Sequence, residues 1–233
     1  MNRVQVKNNN KIFDLIVRDA ADESVVAEIF KHHEYRIADN ILQSTNYPII
    51  DIGAHAGYFS VYARSFRTNT KIIAIEPNAD NIFVLKQNLE LNKLQKIEVL
   101  EGAVGKTSGR RHLLIAKDSH NHKLLKDNKD KQKTIIVQTW SLSEIFKKCI
   151  IDRVGLVKMD IEGGEYEVFD GISDQIFEKI NAFVIEYHNS SEEKYHVIEE
   201  LLRNNGFGVQ VFPSKFDKKM GFIFAQNKRV INK

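Results

Sequence analysis

Apolar runs alternate with helix-period segments along most of this chain, and that alternation constrains the fold more than any other feature. Strands that alternate with helices are typical of βαβ units and a parallel sheet. We therefore predict an α/β fold. The predicted core strands are 47–53, 71–77, 96–105, 153–163 and 181–189, and the predicted helices between and after them are 58–66, 78–94, 141–148, 164–172 and 191–207.

The N-terminal part precedes this repeating pattern. KIFDLIV, residues 11–17, predicts a short strand, and residues 21–42 predict one or two helices. Asp22 or Ser24 is the expected N-cap, since short oxygen-bearing side chains satisfy the first free N–H groups of a helix. We expect residues 1–44 to form a platform or lid beside the main domain.

Two further strand pairs are predicted outside the core pattern. Residues 110–116 and 134–140 predict a β-hairpin around a lysine-rich segment, 117–133, which we interpret as a solvated loop. Residues 208–212 and 220–226 predict a closing pair of strands. That pair is expected to be antiparallel, because too little chain separates the two strands for a helical crossover.

The composition fits one globular domain with at most a small appendage, since 42% of the 233 residues are hydrophobic and 28% are charged. Cys149 is the only cysteine, which excludes an intramolecular disulfide. The polar N-terminus lacks the apolar segment of a signal peptide, and no apolar run approaches the ~20 residues of a membrane span. We expect a cytoplasmic protein without a membrane partner. A formal charge of +3 is weak support for a nucleic-acid partner.

DIGAHAGYFS, residues 51–60, joins the first core strand to the first core helix. Gly53 and Gly57 allow a tight turn and a close approach of the backbone to a ligand. The second core strand ends at Glu76, 25 positions after Asp51, where an acid can accept hydrogen bonds from a ribose. A glycine-rich turn, a helix and an acid in this order indicate a cofactor that contains adenosine.

The turn does not fit every adenosine cofactor. A nicotinamide fingerprint needs the pattern G-x-G-x-x-G, and His55 occupies the place of its second glycine. The alternative is a purely structural turn that happens to precede a surface glutamate.

The motifs together resemble the FkbM family of class I methyltransferases, which use S-adenosylmethionine. The resemblance rests on DIGAHAGYFS, IEPNADNIFVLKQNLELN, LEGAVG, VKMDIEGGEYEVFDGI and VIEYHN in this order, over roughly residues 45–226. KMDIEGGEYEVF is the most specific of these motifs. The resemblance implies a Rossmann-like, mostly parallel seven-stranded sheet with helices on both faces and one antiparallel strand. It assigns the methyltransferase domain to residues 45–233, with the hairpin at about 108–140 as an insertion.

The resemblance also implies roles at the methionine end of the cofactor. Asp51, Gly53 and Gly57 would line this end, and Asp160 would face the sulfonium or the acceptor. His55 takes a position that is often Asn in the family. Either side chain can hydrogen-bond nearby backbone or the cofactor.

At the adenosine end, the resemblance gives the ribose to Glu76. Pro77 and Asn78 would flank the adenine. Gly102 and Ala103, which follow the third core strand, would lie against the flat ring, where small residues leave room for it.

The fourth and fifth core strands end in a second group of polar residues: Asp160 and Glu162, then Glu186 and His188. Alternation along a strand puts each pair on one face, provided that the fourth strand extends as far as Glu162. All four are candidate catalytic residues. If the acceptor is a hydroxyl, His188 is the natural general base, because its ordinary pKa is about 6.5. Glu186 or Asp160 would orient it.

This group of residues leaves two alternatives open. Carboxylates and an imidazole could instead hold a divalent cation such as Mg²⁺ or Mn²⁺. His188 could also serve only as a hydrogen-bonded residue before the turn that follows it.

The sequence favours O-methylation of a hydroxyl on a small molecule or a sugar. One rival is an RNA methyltransferase, which the lysine-rich loop allows. Against this rival, residues 159–164 read MDIEGG where many amino-group methylating enzymes have an Asn-Pro-Pro-Tyr-like motif. The other rival is a protein that binds the cofactor on the same fold without catalysis, because a fold alone does not give a function.

Overall fold

The structure is a computed structural model that describes residues 1–66, 69–115, 123–124, 134–191, 193–215 and 217–231. The strands in chain order are β1 Asn2–Asn8, β2 Lys11–Val17, β3 Ile49–Ile52, β4 Ile72–Glu76, β5 Ile97–Glu101, β6 Ala103–Val104, β7 Gly109–Leu114, β8 Lys123–Leu124, β9 Thr134–Trp140, β10 Leu156–Met159, β11 Ala182–His188, β12 Phe207–Pro213 and β13 Met220–Asn227. The helices are α1 Ala20–Phe30, α2 Asp39–Ser44, α3 Tyr58–Ser65, α4 Ala79–Leu91, α5 Leu142–Lys148, α6 Glu165–Asp170, α7 Asp174–Phe177, α8 Tyr195–Asn204 and α9 Lys228–Ile231. A 3₁₀ turn at Glu34–Ala38 precedes α2.

A seven-stranded sheet forms the centre of the described structure, in the order β12-β13-β11-β10-β3-β4-β5. β13 runs antiparallel to both of its neighbours, and the remaining neighbours in the sheet are parallel. The α/β fold, the sheet and the antiparallel closing pair are therefore confirmed. The chain builds the sheet outward from β3 in one direction and from β10 in the other. The two strands meet at a topological switch point, where open α/β sheets bind their ligands.

Alternation along the strands produces one apolar core on each face of the sheet. In β3, Ile50 and Ile52 join a core with α5, α6 and α8, whereas Ile49 joins a second core with α1 and α3. Strands buried on both faces read as unbroken apolar runs. This is why the sequence shows YPIIDI and KIIAI where the structure has β3 and β4.

The N-terminal hairpin contains a strand that the sequence analysis missed. β1 pairs with β2 along its whole length. Asn9 and Asn10 connect the two strands with φ of 47° and 60°, the conformation of a type I′ turn, which asparagine tolerates well. The predicted N-cap of α1 is also wrong. Asp19 is the N-cap, and its side chain accepts from the backbone N–H of Asp22.

The N-terminal hairpin is bound directly to helix α4. Asn88 Oδ1 accepts from the backbone N–H of Ile16 at 2.7 Å, and Asn88 Nδ2 donates to the carbonyl of Ala56 at 2.9 Å. One turn further along α4, Asn92 exchanges two hydrogen bonds with the backbone of Asp14 at 2.9 and 2.8 Å. These amides satisfy the edge of β2 that does not pair with β1.

The predicted hairpin excursion is present as a separate small sheet. Its order is β6-β9-β7-β8, with β7 and β9 antiparallel as expected. The lysine-rich segment 117–133 lies outside the described residues apart from β8, so its prediction as a solvated loop stays a prediction. Because β6 follows β5 directly, the excursion begins beside the ligand-binding edge of the main sheet.

The fourth core strand is shorter than predicted. β10 ends at Met159, and Glu162 has a left-handed φ of 56°. Asp160 and Glu162 therefore belong to a turn, so the condition under which strand alternation would place both on one face is not met. Glu186 and His188 do share a face, since both lie within β11.

Asn88→Ala tests the attachment of the hairpin. The substitution leaves the N–H of Ile16 and the carbonyl of Ala56 without their partner, so it should lower the free energy of unfolding by about 2–4 kcal/mol. Denaturant titration measures this loss. Glu90→Ala, on the exposed side of the same helix, is the control and should change stability little. Equal stability of both variants would contradict the role of Asn88.

Candidate active site

A cavity of about 680 Å³ lies at the carboxyl ends of β3, β4, β10 and β11. Its volume falls within the ~300–1,000 Å³ of typical ligand pockets. Most of the residues singled out in the sequence line it: Gly53, His55, Glu76, Pro77, Gly102, Ala103, Asp160, Glu162, Glu186 and His188. Asp51, Gly57 and Asn78 lie outside this lining. The contact of these three residues with the cofactor stays a prediction.

Asp51 lies beneath the cavity floor and is fully buried. Its Oδ2 accepts from the hydroxyl of Ser60 at 2.7 Å, and its Oδ1 lies 3.5 Å from Lys158 Nζ. Burial raises the pKa of the Asp51 carboxyl, and the charge of Lys158 opposes that rise. Asp51 thus supports the loop through Ser60 and Lys158 and lies outside the cavity lining, and its role at the methionine end stays a prediction.

The two glycines of the loop are needed for its backbone. Gly53 has φ 74°, and a Cβ there would lie 1.9 Å from the carbonyl oxygen of Asp160. Gly57 has φ 81° and precedes α3, and a Cβ there would lie 3.0 Å from a side-chain carbon of Leu85. The glycine at 53 therefore allows the β3 and β10 loops to touch, while the glycine at 57 lets α3 begin against α4.

Glu76 presents a fully oriented carboxylate at the end of β4. Its Oε2 accepts from the backbone N–H of His55 at 2.9 Å, and its Oε1 accepts from the backbone of Asn78 and from Asn81 Nδ2, both at 3.0 Å. Burial raises the pKa of this carboxyl, and the hydrogen bonds oppose the rise. A carboxylate has about four lone-pair sites, so the three protein donors leave acceptor capacity toward the cavity.

Asn78 is the N-cap of α4, with its side chain accepting from the backbone N–H groups of Asp80 at 2.8 Å and Asn81 at 3.1 Å. This N-cap role accounts for Asn78 without a ligand, so its place beside the adenine stays a prediction, while Pro77 does line the cavity. Gly102 has a φ of 139°, and its surroundings also leave no room for a side chain. A Cβ there would lie 2.6 Å from Trp140 Nε1.

A carboxylate that the sequence analysis missed organises the other end of the cavity. Glu165 is fully buried in the first turn of α6. Its Oε1 accepts from the backbone N–H groups of Ile161 at 3.1 Å and Gly163 at 3.2 Å, and it lies 3.3 Å from His188 Nδ1. The signal in the sequence is an acid directly after Gly-Gly at a helix start, the place where a carboxylate can reach back to free N–H groups.

His188 is held between two carboxylates, with Nδ1 at 3.3 Å from Glu165 and Nε2 at 3.5 Å from Glu162. Burial lowers the pKa of His188, but the hydrogen bond and charge of Glu165, with Glu162 and Asp160, outweigh it and raise the pKa to about 10. The imidazole is then protonated at neutral pH. The argument that its ordinary pKa suits a general base does not apply in this setting.

Glu186 differs from His188 in that its raised pKa favours the uncharged form of the side chain. Burial, and next to it the charge of Asp160, hold the pKa of the Glu186 carboxyl well above its usual range, while His188 opposes the rise. A glutamate whose pKa is raised toward neutral pH can act as a general base or a general acid.

The same region contains a possible cation site among the described residues. Asp160, Glu165 and His188 each offer a ligand atom, and these atoms lie within 4.8 Å of one another. A metal-bound imidazole must be neutral. A cation and a protonated His188 are therefore mutually exclusive.

The N-terminal segment, which was expected to form a platform or lid, supplies a wall of the cavity together with α3 and β13. Tyr35 packs against Phe59 and Phe222, with ring centroids 5.0 and 5.4 Å apart, and all three rings line the cavity. Glu28 and Glu34 line the same end. Residues 1–44 thus contribute both apolar and acidic surface to the site.

The order of strands, the switch-point cavity and the glutamate at the end of β4 define a class I methyltransferase fold. An rRNA methylase from Streptococcus thermophilus has a similar fold, with a TM-score of 0.52 at 8% identity over 83% of this chain and 96% of that one.

The family model of the methyltransferase FkbM domain matches residues 51–209, so the chain belongs to the FkbM methyltransferases, which depend on S-adenosylmethionine. Methyltransferase sdnD of Sordaria araneosa is 28% identical over 215 residues, covering 79% of this chain and 82% of that protein. Methyltransferase 1 of Beauveria bassiana (strain ARSEF 2860) is 24% identical over 182 residues, covering 70% and 73%. Within the described residues, no helix is both long and apolar enough to cross a membrane.

The pairing of His188 predicts a pH-dependent stability. Its pKa is raised from about 6.5 in the unfolded chain to about 10 in the folded one. The ion pairs therefore stabilise the fold fully below about pH 6.5, and this stabilisation is lost as the pH rises toward 10. His188→Gln should accordingly destabilise most at low pH.

Denaturant titrations at several pH values measure the difference between His188→Gln and the wild-type protein. His196→Gln is the control, because His196 is exposed on α8. A destabilisation by His188→Gln that is constant from pH 6 to 10 would contradict the assigned ion pairs.

Proposed function

We propose that this protein transfers the methyl group of S-adenosylmethionine to a hydroxyl of a small molecule or sugar. The observation that carries the proposal is one cavity lined by Glu76 at one end and by Glu186 at the other; burial and the charge of Asp160, which raise the pKa of Glu186, support it. A hydroxyl acceptor must lose a proton when it is methylated, and a carboxylate of raised pKa can accept that proton.

The residues of the cavity fit the cofactor. Glu76 would accept hydrogen bonds from the ribose, Pro77 would contact the adenine, and Gly102 and Ala103 would leave room for its flat ring. Gly53 and the loop to His55 would hold the methionine end, with Asp160 facing the sulfonium. When bound, the cofactor supplies an electrophilic methyl group, and this chain's contribution is to align the acceptor with it, which can account for much of the rate.

The catalytic assignment changes from the sequence prediction. Glu186 is proposed as the general base in place of His188. His188 would remain protonated between Glu162 and Glu165, where its charge can stabilise the ionised form of a neighbouring carboxylate or acceptor. Asp160 would contact the sulfonium or the acceptor, as the family resemblance implies.

The charges of the acceptor end favour a neutral or cationic acceptor. Among the described residues, Glu28, Glu34, Asp160, Glu162 and Glu186 line the cavity and outnumber its basic groups, Lys158, Lys215 and the protonated His188. Burial and the charges of Glu28 and Asp160 raise the pKa of Glu34, so these carboxylates are close enough to repel one another. A phosphate group would be repelled from them as well.

This charge distribution is an argument against the RNA alternative, because affinity for nucleic acid is dominated by contacts between basic residues and phosphates. The aromatic rings of Tyr35, Phe59 and Phe222 offer an apolar surface for the body of a small acceptor. Screening hydroxylated small molecules and bulk RNA with methyl-labelled S-adenosylmethionine tests the assignment. Label on RNA alone would overturn it.

A divalent cation at Asp160, Glu165 and His188 is the second candidate for this cluster, since their ligand atoms lie within reach of a single ion. Oxygen and imidazole ligands suit Mg²⁺ or Mn²⁺. Activity that is lost with a chelator and restored by Mg²⁺ would favour the cation over a protonated His188.

Glu76→Ala should weaken binding of S-adenosylhomocysteine by about 1–3 kcal/mol, from the loss of the hydrogen bonds to the ribose. Isothermal titration calorimetry measures the change, and no acceptor is required. Glu101→Ala is the matched control, because Glu101 ends the neighbouring strand β5 but is exposed and outside the cavity lining. Unchanged affinity in Glu76→Ala would show that the ribose binds elsewhere.

Glu186→Gln keeps the shape of the side chain and removes its basic oxygen. Turnover of an acceptor found in the screen should fall by about 10²–10⁴-fold, the usual contribution of a general base, while binding of S-adenosylhomocysteine stays within twofold. Initial rates with labelled cofactor measure the effect. If Glu186→Gln retains full activity and His188→Gln does not, the base is His188 after all.

A further inference from the structure

Arg18, in the link between β2 and α1, is the centre of a hydrogen-bond network beside the adenosine end of the cavity. Its Nε and Nη2 donate to the two carboxylate oxygens of Asp22, each at 2.8 Å. Its Nη1 donates to Asn81 Oδ1 at 2.8 Å, and Nη2 lies 3.0 Å from His55 Nε2. Asp22 is fully buried, so the guanidinium is fixed by a two-point ion pair.

Asn81 passes this orientation on to Glu76. Because Arg18 takes the amide oxygen of Asn81, the amide nitrogen points the other way and donates to Glu76 Oε1 at 3.0 Å. An amide that turned over would present its oxygen to Glu76, and two acceptors would then face each other.

His55 provides the second connection to the same carboxylate. Its backbone N–H donates to Glu76 Oε2 at 2.9 Å, from a residue with a left-handed φ of 51°. The imidazole of His55 is held by Arg18 and lies 3.4 Å from Asp22. Each oxygen of Glu76 is therefore bonded by a residue that Arg18 contacts.

We propose that Arg18 is a positioning residue of the cofactor site, which orients the Glu76 carboxylate for the ribose through Asn81 and His55. The proposal rests on the proposed function, in which Glu76 binds the ribose. Arg18 does not itself line the cavity. The N-terminal segment would therefore contribute to cofactor binding in addition to lining the acceptor pocket.

Discrimination between adenosine and 2′-deoxyadenosine tests this role, because only adenosine offers both ribose hydroxyls. Equilibrium binding of the two nucleosides is measured for the wild-type protein, Arg18→Met and Arg3→Met. Arg3 is the matched control. It forms an exposed ion pair with Asp14 at 2.7 Å in the same hairpin. The wild type and Arg3→Met should prefer adenosine by about tenfold, the equivalent of one lost hydrogen bond of ~1.4 kcal/mol.

In Arg18→Met, affinity for adenosine should fall about tenfold, whereas affinity for 2′-deoxyadenosine should change less than threefold, so that the preference largely disappears. Thermal unfolding shows whether the variant is folded. Should Arg18→Met not fold, Asn81→Ala breaks the same connection from helix α4 and should reduce the preference in the same way.

A folded Arg18→Met or Asn81→Ala that keeps the full preference overturns the role of Arg18 and leaves the ribose assignment of Glu76 intact. Equal losses for both nucleosides also overturn it, because they indicate general damage to the site. A wild-type protein without any preference for adenosine removes the ribose assignment itself, and the role of Arg18 with it.

Discussion

The geometry of the cavity depends on the contacts of one buried ammonium group, that of Lys158. It is buried at the switch point, opposite Asp51 in the β3–β10 ladder. Its Nζ donates to the carbonyl of Gly53 at 2.9 Å and lies 3.5 Å from Asp51 and 3.9 Å from Asp160. A buried charge is costly unless it is fully paired, so the loop after β3 and the turn after β10 must both close on this one group.

The two ends of the site lie on either side of this centre. On one side, the loop from Gly53 leads to His55, whose backbone holds Glu76. On the other side, Asp160 begins a turn, and Glu165 accepts hydrogen bonds from two backbone N–H groups of that turn. At the first end, N–H donors surround the carboxylate of Glu76, which is proposed to accept hydrogen bonds from the ribose hydroxyls. At the second end, burial lowers the pKa of His188, but Glu165, Glu162 and Asp160 outweigh it and raise that pKa. Burial, and next to it the charge of Asp160, raise the pKa of Glu186. In the proposed function, this arrangement separates cofactor binding from acceptor chemistry.

Local patterns were sufficient for most core strands, most helices and many residues at strand ends, because apolar runs that alternate with helical segments are typical of βαβ units. The seven-stranded sheet was implied by the family resemblance. The local patterns failed where a distant group decided the outcome. The position of Asp51 at a strand end is typical of a residue that contacts a ligand. Its buried carboxylate instead accepts from Ser60 and lies beside Lys158, outside the cavity lining. β10 ends early because Glu165, several residues later, binds the backbone of the turn. Asp22 is four positions from Arg18, but His55 and Asn81 are 37 and 63 positions away along the chain, and no spacing rule joins these two to Arg18.

We propose that one cavity holds the cofactor between Glu76 and the β3–α3 loop. Amide chemical-shift mapping during titration with S-adenosylhomocysteine is the decisive experiment. The largest shifts should occur at residues 53–57, 76–81 and 102–104, with little change around the smaller pocket near Ile41, Thr45 and Tyr47 on another part of the surface. Shifts concentrated in that second pocket, or spread evenly over the sheet, would contradict the site described here.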